Sequence, residues 1–335
     1  MNHIGIDVSS KELVVVMSVN SKQRKAQMFD NTPEGHLALC RVMDKLPGES
    51  LVCMEATGVY HFDLAVLLSR SDTLKVMVIN PKAAHNFAKA LMQRSKTDRV
   101  DASVLASYIE RMPFVEWLRP SEDSLEIRAL ARRIAATNKI KTQVKNQLHS
   151  LDFIQETPEI VMTQTKELIK ILDEQVEKYR ESALGIIQRS ELLKQSYTFI
   201  TSIKGIAEAS AIQLLGELLV MPSDMTIKQW VAYAGLDPRQ FESGSSVSKK
   251  PRISKAGNKY IRQALYMPAL VSTRFEPHIK AYYDHLQANN GLCKMQALCA
   301  VMRKLLHAIY GMLKNKLPFD GRMFFNIPAT GNAVN

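Results

Sequence analysis

Cysteine is scarce in this sequence, and nothing pairs it. The four cysteines, Cys40, Cys53, Cys293 and Cys299, show no CxxC spacing and no secreted framework, which argues against both zinc and disulfides and points to reduced thiols in a cytoplasm. No apolar run approaches the ~18 residues of a membrane span, and the N-terminus enters a strand pattern instead of a leader. A soluble cytoplasmic protein is expected, with no membrane role. The eight histidines fall at no ligand spacing and form no hydrolase triad pattern.

Acids are missing from three long stretches, although the whole chain is rich in charge, with a formal net value of +11. Between Glu126 and Asp152 lie Arg128, Arg132, Arg133, Lys139, Lys141 and Lys145. Between Glu242 and Glu276 lie Lys249, Lys250, Arg252, Lys255, Lys259, Arg262 and Arg274. The third stretch, between Asp284 and Asp320, carries Lys294, Arg303, Lys304, Lys314 and Lys316. Clustered positive charge with no acid to cancel it suits a polyanion, because bound phosphates release their counterions. Arg128, Arg132, Arg133, Lys139, Lys249, Lys250, Arg252, Lys255, Lys259 and Arg262 are the candidate nucleic-acid contacts.

At 335 residues the chain exceeds one ordinary core. Ile4, Ile6 and Val8 alternate with Gly5 and Asp7, and Leu13 to Val19 is valine-rich, so a hairpin is expected, with a third strand over Arg24 to Phe29. Thr32-Pro33 opens a helix; a strand over Leu51 to Glu55, a helix from about Val59, a strand over Lys75 to Ile79 and a helix at Pro81 follow. Three early strands and then alternation is the order of a ribonuclease H-like domain. From about Ser121 the pattern changes to long helices. Leu130, Ile134, Thr137, Lys141, Val144, Leu148 and Leu151 step alternately by four and three, as do Ile169, Leu172, Val176, Tyr179, Ala183 and Ile186, which predicts a coiled-coil-like pair turning near Phe153 to Pro158. Beyond Tyr197, Ser202 to Ala207 reads either as a helix-hairpin-helix turn facing phosphate or as a plain packing corner. Glu242 to Ser248 reads as a loop, and helices are expected from Asn258 and from Met295. The fold class is therefore α/β plus α. Residues 1–118 form an α/β domain, 119–196 a helical arm, 197–325 a mainly helical domain and 326–335 a loose tail.

Two acids stand at the ends of apolar strands, Asp7 and Glu55, and two more, Asp98 and Asp101, open a helix on one face of its first turn. Asp98 and Asp101 alone fit ordinary helix capping. Asp7 and Glu55 are harder to explain structurally, because an ionised acid in a strand costs several kcal/mol unless it is paired or bound to a metal. Read jointly, Asp7, Glu55, Asp98 and Asp101 favour a hard-cation site, with magnesium the expected ion. Ser243 alone is an ordinary loop serine; its setting directly before a long basic, acid-free segment is what marks it.

Gly5-Ile6-Asp7, Glu55-Ala56-Thr57-Gly58-Val59-Tyr60, Val78-Ile79-Asn80-Pro81, Lys96 to Ala102, Ala234 to Pro238, Glu242-Ser243-Gly244 and Arg252 to Asn258 together resemble the DEDD transposases of the insertion-sequence one-ten family, to which pilin-gene DNA invertases are related. The resemblance implies a RuvC-like domain whose Asp7, Glu55, Asp98 and Asp101 hold magnesium, and a transposase domain whose Ser243 attacks DNA. It further implies a transient phosphoserine link, strand exchange through a four-way junction, and half-sites joined across a homodimer, with a tetramer as the alternative for the synaptic complex. Its implied partners are donor and target double-stranded DNA and a structured non-coding bridge RNA pairing with both. Lys204 and Ala207 depart from the hairpin pattern. The rivals are a RuvC-like junction endonuclease that uses water, a site-specific invertase, and a non-catalytic nucleic-acid binder.

Overall fold

The computed structural model describes residues 1–56, 60–95, 97–154, 156–222, 224–243 and 247–327, with side chains for all of these except 240–243 and 247–251. Thr57, Gly58, Val59, Lys96 and Gly244 of the sequence motifs, and the side chains of Ser243, Lys249 and Lys250, lie outside what is described. The chain divides into two compact units, Met1–Arg119 and Pro120–Asn335.

The first unit is built on a mixed sheet. β1 (Asn2–Val8) and β2 (Glu12–Val19) form the expected hairpin. The expected third strand is divided into β3 (Lys22–Gln23) and β4 (Gln27–Asp30), both paired with β2. β5 (Ser50–Glu55) lies parallel to β1, and β6 (Leu74–Ile79) parallel to β5, so the order is β3-β2-β1-β5-β6. Strand alternation sends Ile4, Ile6, Val8, Val52 and Met54 to one face, where α1 (Pro33–Met43) and α2 (Phe62–Leu68) cover them with Leu39, Met43, Leu64 and Leu68. The other face presents Val14, Val16, Leu51, Cys53, Met77 and Ile79. These meet Ala84 of α3 (Pro81–Ala90) and Ala102, Leu105, Ala106 and Ile109 of α4 (Asp98–Arg111). Pro33 and Pro81 each occupy a first helical turn behind a capping Thr32 or Asn80.

The second unit is helical apart from one hairpin. α5 (Glu122–Leu151) and α6 (Glu159–Arg189) are the long pair anticipated by the heptads. Ile134, Thr137, Val144, Leu172, Ala183 and Ile186 are buried, and Lys141 Nζ meets Asp173 Oδ1 at 2.6 Å. Their inner turns enter the core formed with α7 (Glu191–Thr201), α8 (Glu208–Leu218), α9 (Ile227–Ala234), α10 (Lys259–Phe275), α11 (Pro277–Ala288), α12 (Lys294–Asn315) and α13 (Gly321–Phe324). α11 was not anticipated. The stretch expected as a loop is instead a hairpin, β7 (Pro238–Ser243) with β8 (Val247–Ile253), bulged between Arg239 and Phe241. Its serines and lysines carry little strand propensity, and cross-strand pairing overrides that local preference. At the turn between α7 and α8 the Lys204 carbonyl accepts from Ser272 Oγ at 2.6 Å, and Gly205 abuts Ser272 and the Pro268 carbonyl of α10. That turn is a packing corner. No helix among the described residues is long and apolar enough to cross a membrane.

Candidate active site

The acids of the first unit are positioned by register. Ile6 pairs with Met54 across the parallel strands, so Asp7 and Glu55 are the next residue on each, about 4.8 Å apart in backbone spacing. Both are half-buried at the carboxyl ends of their strands and fall on the face covered by α4. α4 approaches that face unusually closely because β1 has no side chain at Gly5. A Cβ there would collide with the Ala102 carbonyl oxygen and the Ala106 backbone nitrogen. The docking places Asp101, next to Ala102, at the helix end on this face; Asp101 is half-buried and Asp98 exposed.

Thr97 caps α4, its Oγ1 accepting from the Val100 N–H at 3.3 Å. Asp98 is therefore not the cap; it and Asp101 stand in the first turn of α4, where the helix dipole favours acids. Cys53, two residues before Glu55 and on the same face, is buried; burial, then the Glu55 charge, pushes its thiol up to about 12, so it is no nucleophile. The four carboxylates offer the hard oxygen donors that suit a divalent cation. Among the described residues, however, no three acidic, histidine or cysteine side chains are gathered closely enough to hold a metal ion. The structure brings Asp7 and Glu55 to adjacent strand ends and Asp101 onto the same face, without closing them into one coordination group.

In the second unit Ser243 is the last residue of β7, paired with Val247 where the hairpin turns. Both feet of this hairpin are fastened. The Ser254 N–H donates to the Asp237 carbonyl at 2.8 Å and Ser254 Oγ to Asp237 Oδ1 at 2.5 Å. The Lys255 N–H reaches the Gly235 carbonyl at 3.1 Å and the Asn258 N–H the Tyr233 carbonyl at 2.7 Å. Gly257 lies against the Tyr233 carbonyl so closely that a Cβ would not fit.

The candidate basic contacts fall into two sets. Arg133, Lys139, Arg252, Lys255 and Lys259 are exposed. Arg128, Arg132 and Arg262 are half-buried and engaged within the fold. Arg262 Nη1 donates to the Ala234 carbonyl at 2.7 Å, and burial lowers its pKa. Arg132 grips Glu217 with Nε at 2.6 Å and Nη2 at 3.1 Å, its guanidinium carbon 4.7 Å from the Tyr260 ring centroid; Arg128 Nε stands 3.6 Å from Glu217. Burial acts to lower the Arg132 pKa, but the Glu217 hydrogen bond and charge outweigh it and leave it raised. Sequence reading missed Glu217, which is 1% exposed inside the apolar α8. An acid in so apolar a helix was itself the available signal.

An α/β unit with acids at adjacent strand ends is followed by a helical unit rich in exposed bases. Comparison with known proteins makes this specific. A transposase family model matches residues 4–153, and the model described as "Transposase IS116/IS110/IS902 family" matches residues 197–284. The pilin gene-inverting protein of Moraxella bovis is 30% identical over 272 residues, 81% of this chain and 82% of the relative; that of Moraxella lacunata matches equally. An insertion element IS110 protein of Streptomyces coelicolor is 27% identical over 124 residues, 37% of this chain and 30% of its own length. The chain belongs to the IS110 family of transposases, enzymes that cut and rejoin DNA.

Proposed function

We propose that this transposase works as a magnesium-dependent serine recombinase guided by a bridge RNA. The observation that carries the proposal is the register of Asp7 and Glu55 at neighbouring carboxyl strand ends, with α4 docked over Gly5 beside them. Counting β3 and β4 as one divided strand, the sheet order supports a RuvC-like, ribonuclease H-like assignment. Asp7, Glu55, Asp98 and Asp101 would hold the cation, which supplies charge stabilisation at a reacting phosphodiester. Asp98 and Asp101 would have to move to complete the coordination group.

Residues 119–196 act as the arm and 197–325 carry the nucleophile. Ser243 Oγ attacks a backbone phosphorus and gives up its proton; the Oγ–P bond forms as the bond to the departing sugar oxygen breaks. The freed hydroxyl of another strand then attacks the phosphoserine and returns Ser243 unchanged, so the exchange conserves phosphodiester bonds and proceeds through a four-way junction. Exposed Arg133, Lys139, Arg252, Lys255 and Lys259, with Lys249 and Lys250, contact phosphates while RNA pairing selects the donor and target sequences. The working assembly is a homodimer, or a tetramer at synapsis, in the cytoplasm at the nucleoid. The likeness to two pilin gene-inverting proteins supports a second reading, inversion of a DNA segment by the same chemistry.

The test is a reconstituted reaction on DNA bearing the element junction and a target site, with the flanking non-coding RNA and magnesium. Joined product only when both RNA and magnesium are present is expected. Exchange that proceeds without RNA contradicts guidance, and simple cleavage without rejoining favours a water-using junction endonuclease.

A further inference from the structure

Glu217 is a node whose cost needs a return. Its carboxylate, 1% exposed, lies on α8 among Leu214, Leu215 and Leu218. Arg132 holds it with both Nε and Nη2, Arg128 stands at 3.6 Å, and Asn258 Nδ2 donates to Oε2 at 2.6 Å. A buried ion pair of this kind stabilises no better than apolar residues of the same volume, so stability alone does not explain its presence. Direction does.

Asn258 cannot turn its amide around. Its Oδ1 accepts from the Tyr260 N–H at 2.9 Å and the Ile261 N–H at 3.4 Å as the cap of α10, which leaves Nδ2 to face Glu217. The same residue's N–H donates to the Tyr233 carbonyl at 2.7 Å, beside the start of the hairpin, and its carbonyl accepts from Arg262 Nη1 at 3.3 Å. The returning segment Ser254 to Gly257 is laced to Tyr233, Gly235 and Asp237 immediately above. The segments entering and leaving β7–β8 are thus tied to each other, and Asn258, at the end of the returning one, ties it to Tyr233 of α9 and is itself aimed by Glu217.

We propose that Glu217 is a positioning residue: through Asn258 it fixes the feet of the hairpin that carries Ser243, and through Arg132 it ties them to α5. Its importance for the reaction rests on Ser243 being the nucleophile; its hold on the hairpin does not. Arg132 and Arg128 are then not spare phosphate contacts. They are the internal cations paired with Glu217, which separates them from exposed Arg133 and Lys139 on the same helix.

The test uses the full-length protein with Glu217→Gln, a change that keeps the shape and removes the charge. Amide hydrogen exchange should show the protection of Ser254, Lys255 and Asn258 falling at least about tenfold, with α12 unaffected. The rate of protein–DNA adduct formation at saturating DNA should fall on the order of 100-fold, with DNA affinity unchanged. If Glu217→Gln fails to fold, Arg132→Lys keeps the charge but loses the two-pronged grip, and the same pattern is expected at smaller amplitude. Unchanged exchange at those amides, or a uniform loss of protection throughout the second unit, overturns the proposal. A wild-type protein that forms no adduct overturns the serine reading instead, and the exchange result still decides whether Glu217 holds the hairpin.

Discussion

The two units treat carboxylates in opposite ways. In the first, Asp7, Glu55 and Asp101 are half-buried and Asp98 exposed, at the carboxyl edge of a sheet. In the second, Glu217 is enclosed and served by Arg132, Arg128 and Asn258 from elsewhere in the same unit. In the proposed reaction the first arrangement offers oxygen donors to a cation and a phosphate. The second satisfies its acid internally, so the acid acts as an anchor. Burial, not residue type, separates a candidate catalytic acid from an architectural one.

The largest expected effect comes from breaking the first arrangement chemically. Asp7→Asn should reduce strand cleavage at least about a thousandfold while DNA binding and thermal unfolding remain near wild type. A variant that cleaves normally would move Asp7 to the architectural class. Breaking the second arrangement should cost stability instead: Arg132→Ala leaves Glu217 short of its main partner and should destabilise the second unit by about 3 kcal/mol in denaturant titration. Gly5→Ala tests whether the first unit's edge depends on close docking of α4. Its Cβ meets backbone that cannot retreat, and a loss of about 2 kcal/mol confined to the first unit is expected.

Smaller effects sharpen the contrast. Thr97→Ala removes the α4 cap and should cost about 1 kcal/mol by the same titration. Asp173, whose pKa is lowered by its hydrogen bond from Lys141, contributes to the arm above its unfolded pKa. That contribution is lost as pH falls through the lower folded value, so Asp173→Asn should flatten a shallow acid-side loss of arm helicity, read by circular dichroism. The pair is exposed, and the change should be the least of these.

The strand-end acids were legible in sequence because Asp7 and Glu55 interrupt runs that are otherwise apolar. The α5–α6 pair was legible through its heptads, and α1 and α3 through Thr32-Pro33 and Asn80-Pro81. Glu217 stands out in an apolar helix, but its pairing was not legible, because Arg132 lies 85 residues away in sequence and only the fold brings them together. The hairpin around Ser243 was read as a loop because Gly/Ser-rich composition signals a turn, while the strands beside it exist through mutual pairing. α11 announced itself only by Pro277 after Phe275 and Glu276, without a clear apolar stripe. Sequence also suggested four acids in one group, and register supplies the neighbourhood but not the closure.

The most direct measurement of the central claim is a denaturing gel of labelled junction DNA incubated with RNA, magnesium and the protein, beside Ser243→Ala and Asp7→Ala. A DNA-linked protein band present in wild type and absent from both variants is predicted, because the acids and the serine serve one reaction. Cleavage without a covalent band that survives Ser243→Ala would contradict the account and leave water as the nucleophile.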